Sequence, residues 1–331
     1  MKALVTSDWH LNGKPRDRYR HQFQIRLQSL LRKHSVDTLL MLGDLTDEKD
    51  NHGSVLVNEI VEYMHQLAGQ CEKVYILQGN HDCIDPHHAF FAFTKHLPNI
   101  IWIGAPKLEV LPGIGTCLFL PHTRDYKHAW EGQSFKGIDL VFTHNTFKGA
   151  VAGSGRELDG IPLGIIPKDL TVISGDVHVP QDVGNVTYVG APYTIDFGDS
   201  YQPRVLLLDE TNMRTLWCPG PQKCLVTANT INQAKERMQR RGGDLLKLRI
   251  AWSNERIDKW PEAKRDLQQW AVDNGITLYG VEPVLDEPTA RKAKASTTKT
   301  RSDAEVLADY CKSNGINQVL TKVGMDILQG G

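Results

Sequence analysis

Five short apolar runs in this chain each end abruptly in a small cluster of Asp, Asn or His. They read ALVTSDWH (3 to 10), LLMLGD (39 to 44), ILQGNHD (76 to 82), DLVFTHN (139 to 145) and LTVISGDVH (170 to 178). A single such cluster is ordinary turn chemistry, because Gly-Asn is a common turn pair and Asn tolerates left-handed backbone angles. Its recurrence along the chain calls for another reason. The segments ALVT, TLLML, KVYIL, LVFT and TVIS are rich in Val, Ile and Leu and apolar on both faces, as strands buried inside a sheet are. Apolar residues at helical spacing over 20–34 and 54–69 separate the first three, with Ser54 as an N-cap and Gly69 at the end of the second helix. Strand, helix, strand, helix, strand predicts an α/β layered domain. In such sheets ligands gather outside the carboxyl ends of the strands, where these clusters fall.

From about residue 100 the pattern turns strand-rich (IIWIG, LEVLP, GTCLFLP, NVTYVG, RVLLLDE), which predicts a sandwich with mixed or antiparallel strands. Helix and strand signals then alternate over 230–283, predicting a small α+β domain. The segment 289–301, TARKAKASTTKTR, carries five basic residues, no acidic one and no large apolar side chain, and reads as a linker. Ser302-Asp303-Ala304-Glu305 after it is a capping box, and Val306, Leu307 and Tyr310 fall on one face of a short helix suited to a partner. The boundaries expected are 1–212, 213–287 and 288–331.

With 38 Lys and Arg against 39 Asp and Glu, the formal charge is −1, so any hold on a polyanion must come from local basic patches. The six cysteines are sparse and lack CxxC pairing, as expected of reduced thiols in a cytosolic compartment. Cys218 and Cys224 alone would leave a zinc site short of two ligands. The start of the chain has no apolar signal core and no stretch approaches a membrane span, so a protein neither secreted nor membrane-embedded is expected.

Asp8, His10, Asp44, Asn80, His81, Asp82, His144, Asp176 and His178 collect at the strand ends. Oxygen and imidazole donors converging from separate strands suit a pair of divalent cations such as manganese, with one carboxylate bridging both. The order DWH, GD, GNHD, THN and a late GxxH resembles the calcineurin-like metallophosphoesterases, and within them the SbcD-type nuclease subunits, including bacteriophage recombination nucleases. The segment VTYVGAPYTIDFGD, the small second domain and the tethered helix are similar to that group as well.

The resemblance implies a four-layer α/β/β/α sandwich with a small α+β capping domain and a C-terminal partner-binding helix. It implies Asp8, His10 and His178 on one metal, Asp44 bridging, and Asn80 and His144 on the second, with Mn²⁺ or Mg²⁺ as cofactors. His81 would protonate the leaving oxygen, a task that suits an imidazole, and Asp82 would orient it. The activity implied is a DNA exonuclease, and also endonuclease, hydrolysing phosphodiesters by a two-metal-activated hydroxide in the cytoplasm of a bacterium or phage-infected host. Its partners would be DNA, an SbcC-like coiled-coil ABC-type ATPase and a second copy of the chain.

One position departs from the family pattern. Where GHxH is usual, Gly175-Asp176-Val177-His178 puts a carboxylate in place of an imidazole. Asp can still ligate and favours harder ions over zinc; a weakened or one-metal site is the other outcome. Arg240, Arg241, Lys247 and Arg249 are candidates for DNA phosphate contacts, or else a solvated helix face and turn. His52, His87, His88 and His122 lie near the clusters, with His122 the best placed, and Trp9 reads as packing. Rival functions are a stand-alone small-substrate phosphodiesterase or protein phosphatase, and a catalytically weakened scaffold subunit.

Overall fold

The apolar runs form the inner strands of two stacked sheets. In a computed structural model, residues 1–210 and 212–285 are described, with Leu307, Cys311 and Thr321 beyond them. The chain runs β1 (Ala3–Thr6), α1 (Phe23–His34), β2 (Thr38–Met41), α2 (Ser54–Ala68), β3 (Lys73–Leu77), β4 (Ile100–Ile103), β5 (Lys107–Leu111) and β6 (Gly115–Leu120). A short α3 (Tyr126–Ala129) precedes β7 (Leu140–Thr143), β8 (Thr171–Ser174), β9 (Gln181–Val183), β10 (Val186–Tyr188), β11 (Arg204–Leu208) and β12 (Met213–Trp217). The first sheet has the order β12-β11-β1-β2-β3-β4 and the second β5-β6-β7-β8-β10-β9. β1 to β4 are parallel, as are β6, β7, β8 and β10, so the carboxyl ends of each set share one edge.

Strand alternation divides the side chains between two layers of core. Leu4, Leu39, Met41, Val74 and Ile76 face α1 and α2, meeting Phe23, Leu27, Leu31, Ile60 and Met64. Ala3, Val5, Leu40, Tyr75 and Leu77 face the second sheet and pack on Phe119, Phe142 and Ile173. Tyr75 stacks on Phe119, and Phe119 on Phe142, with centroids 5.5 and 5.0 Å apart. The far face of the second sheet is covered by α3, bridged loops and side chains such as Phe147, Ile161 and Ile166. This fourth layer is therefore mostly irregular chain.

Local signals erred in three places. Ser54 is not the cap of α2: Gly53 takes the N-cap position and no side chain bonds there, so Ser54 is the first helical residue. Helix was expected from residue 20, but Pro15–Gln22 is a 3₁₀ segment and α1 starts at Phe23. Tertiary polar contacts hold that segment, since Arg20 donates to the carbonyls of His10 and Ile195, and His21 bonds the carbonyl of Asn12. β12 was expected in the second domain, yet it pairs with β11 as the edge of the first sheet.

The small α+β module begins at Lys223. It comprises β13 (Lys223–Ala228), α4 (Ile231–Gln239), β14 (Leu245–Trp252), α5 (Trp260–Asp273) and β15 (Thr277–Leu285), with all three strands parallel. Its own core includes Ala234, Met238, Leu246, Leu248, Ile250 and Leu267. Met1–Leu285 nonetheless forms one compact unit. The linker 289–301 and, from the expected partner helix, Val306 and Tyr310 lie outside the described residues, while Leu307 is helical and half-buried. Among the described residues no helix is long and apolar enough to cross a membrane.

Phe142 is fully buried where the two sheets meet. Replacing Phe142 with Ala should cost about 3–5 kcal/mol of stability, read as a lower denaturation midpoint with an unchanged slope.

Candidate metal centre

The loops after β1 and β2 run side by side, the N–H groups of Asp8 and His10 donating to the carbonyls of Gly43 and Asp44. Asp8, His10, Asp44 and Asp176 all adopt positive φ, at 55°, 45°, 55° and 74°. Non-glycine residues enter that region at a cost met by the surrounding structure, and such residues concentrate at functional sites. The glycines have a steric reason. A Cβ on Gly79 would lie 2.3 Å from Asp44 Oδ1, and one on Gly43, itself at φ 87°, would lie 2.4 Å from His144 Nδ1.

Asp8, His10, Asp44 and His144 are buried and face one another across the strand ends. His10 Nε2 lies 3.0 Å from His178 Nε2, 3.4 Å from Asp44 Oδ2 and 3.9 Å from Asp8 Oδ1. His144 Nδ1 donates to the carbonyl of Leu42 at 2.5 Å, which leaves Nε2 at 3.3 Å from Asp44 Oδ1, 3.2 Å from the Asn80 side chain and 3.8 Å from Asp176 Oδ1. Three groups of ligand atoms, each within 4.8 Å of one another, emerge: Asp8, His10, His178; Asp8, Asp44, His144; and His10, Asp44, His81. Asp8, His10 and Asp44 each belong to two of the three groups, so the groups form one continuous cluster.

These residues fit cations. Asp8 Oδ2 is buried without a hydrogen-bond partner, and the Asn80 amide oxygen faces acceptors, including both Asp44 oxygens, unless the amide is turned. Burial pushes the Asp8 carboxyl up to about 6, with His144 opposing. Burial also disfavours charge on His144, but Asp44, Asp8 and Asp176 around it raise its pKa well above the usual value. The pocket is built to hold positive charge. Burial and the neighbouring His10 hold His178 down to about 3, so its ring stays a neutral nitrogen donor.

His81 Nδ1 bonds the carbonyl of Asp47 at 2.9 Å and its backbone N–H donates to Asp44 Oδ1 at 2.8 Å. The role expected for Asp82 needs correction. Its fully buried carboxylate accepts the backbone N–H groups of Gly79 (2.7 Å), Asp44 (3.0 Å) and Leu45 (2.9 Å), so it locks two loops together rather than orienting His81. Asp176 is drawn partly aside, Thr146 Oγ1 donating to Oδ2 at 2.5 Å while Oδ1 faces His144.

Sequence reasoning missed Asp47 and Asn12. Asp47 Oδ1 lies 3.1 Å from His10 Nδ1 and so turns the His10 Nε2 toward the cluster. Asn12 Nδ2 donates to Asp47 Oδ2 at 2.8 Å. Neither stands out in a sequence, because an Asp or Asn in a turn is ordinary. His122 Nδ1 donates to the carbonyl of His144 at 3.1 Å, whereas His88 is exposed beside Asp85 and His87 is exposed too. His52 packs against Phe90 and Phe91. Trp9 is core packing, edge-on to Phe23, and no candidate ligand group contains a cysteine among the described residues.

The basic candidates do not reach the centre. Lys247 and Arg249 share Glu282, at 2.6 and 3.2 Å, on the face of the small sheet away from its core. Arg240 pairs with Glu236, and Arg241 lies 3.7 Å from Asp244.

Residues 1–180 match the family model described as calcineurin-like phosphoesterase. The chain belongs to that family. A calcineurin-like phosphoesterase is a phosphoester hydrolase with a two-metal site, and the donor groups above are the candidates for it among the described residues. Exonuclease subunit 1 of Enterobacteria phage T4 is 23% identical over 238 residues, 66% of this chain and 68% of that protein. The metallophosphoesterase 1 homolog of Caenorhabditis elegans is 35% identical over 103 residues, 29% of this chain and 28% of its own length. Putative phosphoesterase 078R of Invertebrate iridescent virus 3 is 24% identical across 61% of this chain and 60% of its own. Among solved structures it is similar to the Pseudomonas putida nuclease MPE (16% identity, 65% and 87% covered, TM-score 0.34) and to a Danio rerio dimetal phosphatase (11%, 66% and 99%, TM-score 0.42).

Because Asp82 satisfies three buried N–H groups, Asp82→Ala should lower stability by about 1–3 kcal/mol and weaken divalent-metal binding by loosening Asp44. Calorimetric titration with manganese alongside thermal melts would record both losses.

Proposed function

We propose that this phosphoesterase is a DNA nuclease subunit, an exonuclease with endonuclease activity, serving DNA repair, recombination or replication in the cytoplasm of a bacterium or phage-infected host. The observation that carries this reading is a pair of cavities meeting at Asn80. One, of about 310 Å³, holds His10, Asp44, His81 and His178 with Arg16 at its edge. The other, of about 570 Å³, has Ile84, Pro86, Pro106 and Trp130 in its wall and the cations Lys49 and Arg124. A phosphate at the junction would leave room for chain on both sides, which a phosphodiester polymer needs and a small monoester does not. The likeness to a phage exonuclease subunit supports the same reading.

Asp8, His10 and His178 would hold one cation and Asn80, His144 and Asp176 the other, with Asp44 between them. Manganese is the ion we assign, with magnesium next, since carboxylate and amide oxygens suit hard ions. Such ions supply Lewis acidity toward the phosphoryl group and make water acidic enough to attack near neutral pH. The protein does the rest. Asp47 holds the His81 ring by its Nδ1–H, so that protonated His81 can deliver its Nε2 proton to the departing oxygen. Asp82 keeps the loops carrying Asp44 and Asn80 at a fixed separation. Phosphate contacts from the cavity cations, rather than base contacts, would position DNA with little sequence preference. Through Val306, Leu307 and Tyr310 the chain would engage an SbcC-like coiled-coil ATPase, and it would act as a homodimer.

Linear DNA incubated with purified protein and manganese should be degraded, and chelator should stop it; hydrolysis of small monoesters alone would sink the proposal. His81→Ala should cut kcat by about 10²–10⁴ while manganese still binds. Asp176→His should shift the preferred ion toward zinc, and an unaltered metal profile would remove Asp176 from the ligand set.

A further inference from the structure

Lys223, the first residue of β13, is buried, and its ammonium points out of the small module into the catalytic domain. It lies 2.7 Å from Asp17 Oδ1 and 2.9 Å from the carbonyl of Ile195. Asp17 Oδ2 in turn accepts Asn12 Nδ2 at 3.1 Å, and the same amide donates to Asp47 Oδ2 at 2.8 Å. Asp47 Oδ1 completes the chain at His10 Nδ1. Arg20 stands between the two carboxylates, 3.7 Å from Asp17 and 3.3 Å from Asp47. A second tie runs from β15, where the Tyr279 hydroxyl donates to the carbonyl of Arg16 at 2.9 Å.

We propose that Lys223 is a positioning residue for His10, so that the seating of the small module sets the affinity of one metal subsite. The inference rests on the two-metal reading. Lys223 and Arg20 balance Asp17 and Asp47, and buried charges left uncompensated are costly. Without the ammonium, Asp17 draws Arg20 away from Asp47. Asp47 then loses a cation and the His10 ring loses its fixed partner, a change that in metal sites costs 10–100-fold in affinity.

The sign of the effect separates positioning from field. Removing a positive charge near a cation site should by itself tighten binding, so a weaker site cannot come from the field of Lys223. Manganese titration of the full chain by calorimetry and electron paramagnetic resonance supplies the test. Lys223→Met should weaken one of two sites about tenfold and leave the other within about twofold. Asn12→Ala, which cuts the same chain without stranding a charge, should weaken the same site and serves if Lys223→Met does not fold. The double variant Asp17→Asn, Lys223→Met should recover most of the loss, because Arg20 then stays on Asp47. Equal weakening of both sites, unchanged or tighter binding, or no recovery in the double variant would overturn the inference alone. A wild-type chain that binds no manganese would overturn the two-metal reading and this inference together.

Discussion

One buried carboxylate, that of Asp82, accepts three backbone N–H groups from two different loops, and the geometry of the centre depends on it. Donors and acceptors withdrawn from water must find partners inside the protein. Here the partners are the turn after β2 and the turn after β3, so satisfying them brings Asp44 beside Asn80. The close approach is possible because Gly43 and Gly79 have no Cβ to collide with His144 and Asp44. Left-handed backbone at Asp8, His10, Asp44 and Asp176 then turns four side chains back across the strand ends.

Around that frame the charges form two zones. Near Asp8, Asp44 and His144 the site concentrates negative charge at almost no exposure, an arrangement that calls for cations. Next to it, Asp17, Arg20, Asp47 and Lys223 pair with one another, and Asp47 of that cluster also meets the His10 ring. The apolar wall of the second cavity begins on the other side of Asn80. Asn80 thus lines both the cavity that holds the donor cluster and the one with the apolar wall.

The small module contributes to this arrangement out of proportion to its size. Its core is separate, built on β13 to β15 with α4 and α5. Its basic residues Lys247 and Arg249 are spent on Glu282 rather than displayed toward the centre. Lys223, a buried cation of the module, enters the catalytic domain, and it does so as an ion pair with Asp17.

The sequence by itself determined the buried strands and the set of polar residues gathered at their carboxyl ends. Runs such as ALVT and LVFT are apolar on both faces and can only be interior strands, and the residues that follow them must sit at the sheet's carboxyl edge. Asp8, His10, Asp44, Asn80, His81, His144 and His178 were legible for that reason. What tertiary structure decided involves partners far apart in the chain: Asp82 with Asp44, Asp47 with His10, and Lys223 with Asp17, across 206 residues. Nothing in a turn Asp or a lone Lys announces such a partner. Local rules likewise placed the cap at Ser54 and β12 in the wrong domain, because caps and edge strands are settled by what packs beside them, and periodicity reports only which side of an element is apolar.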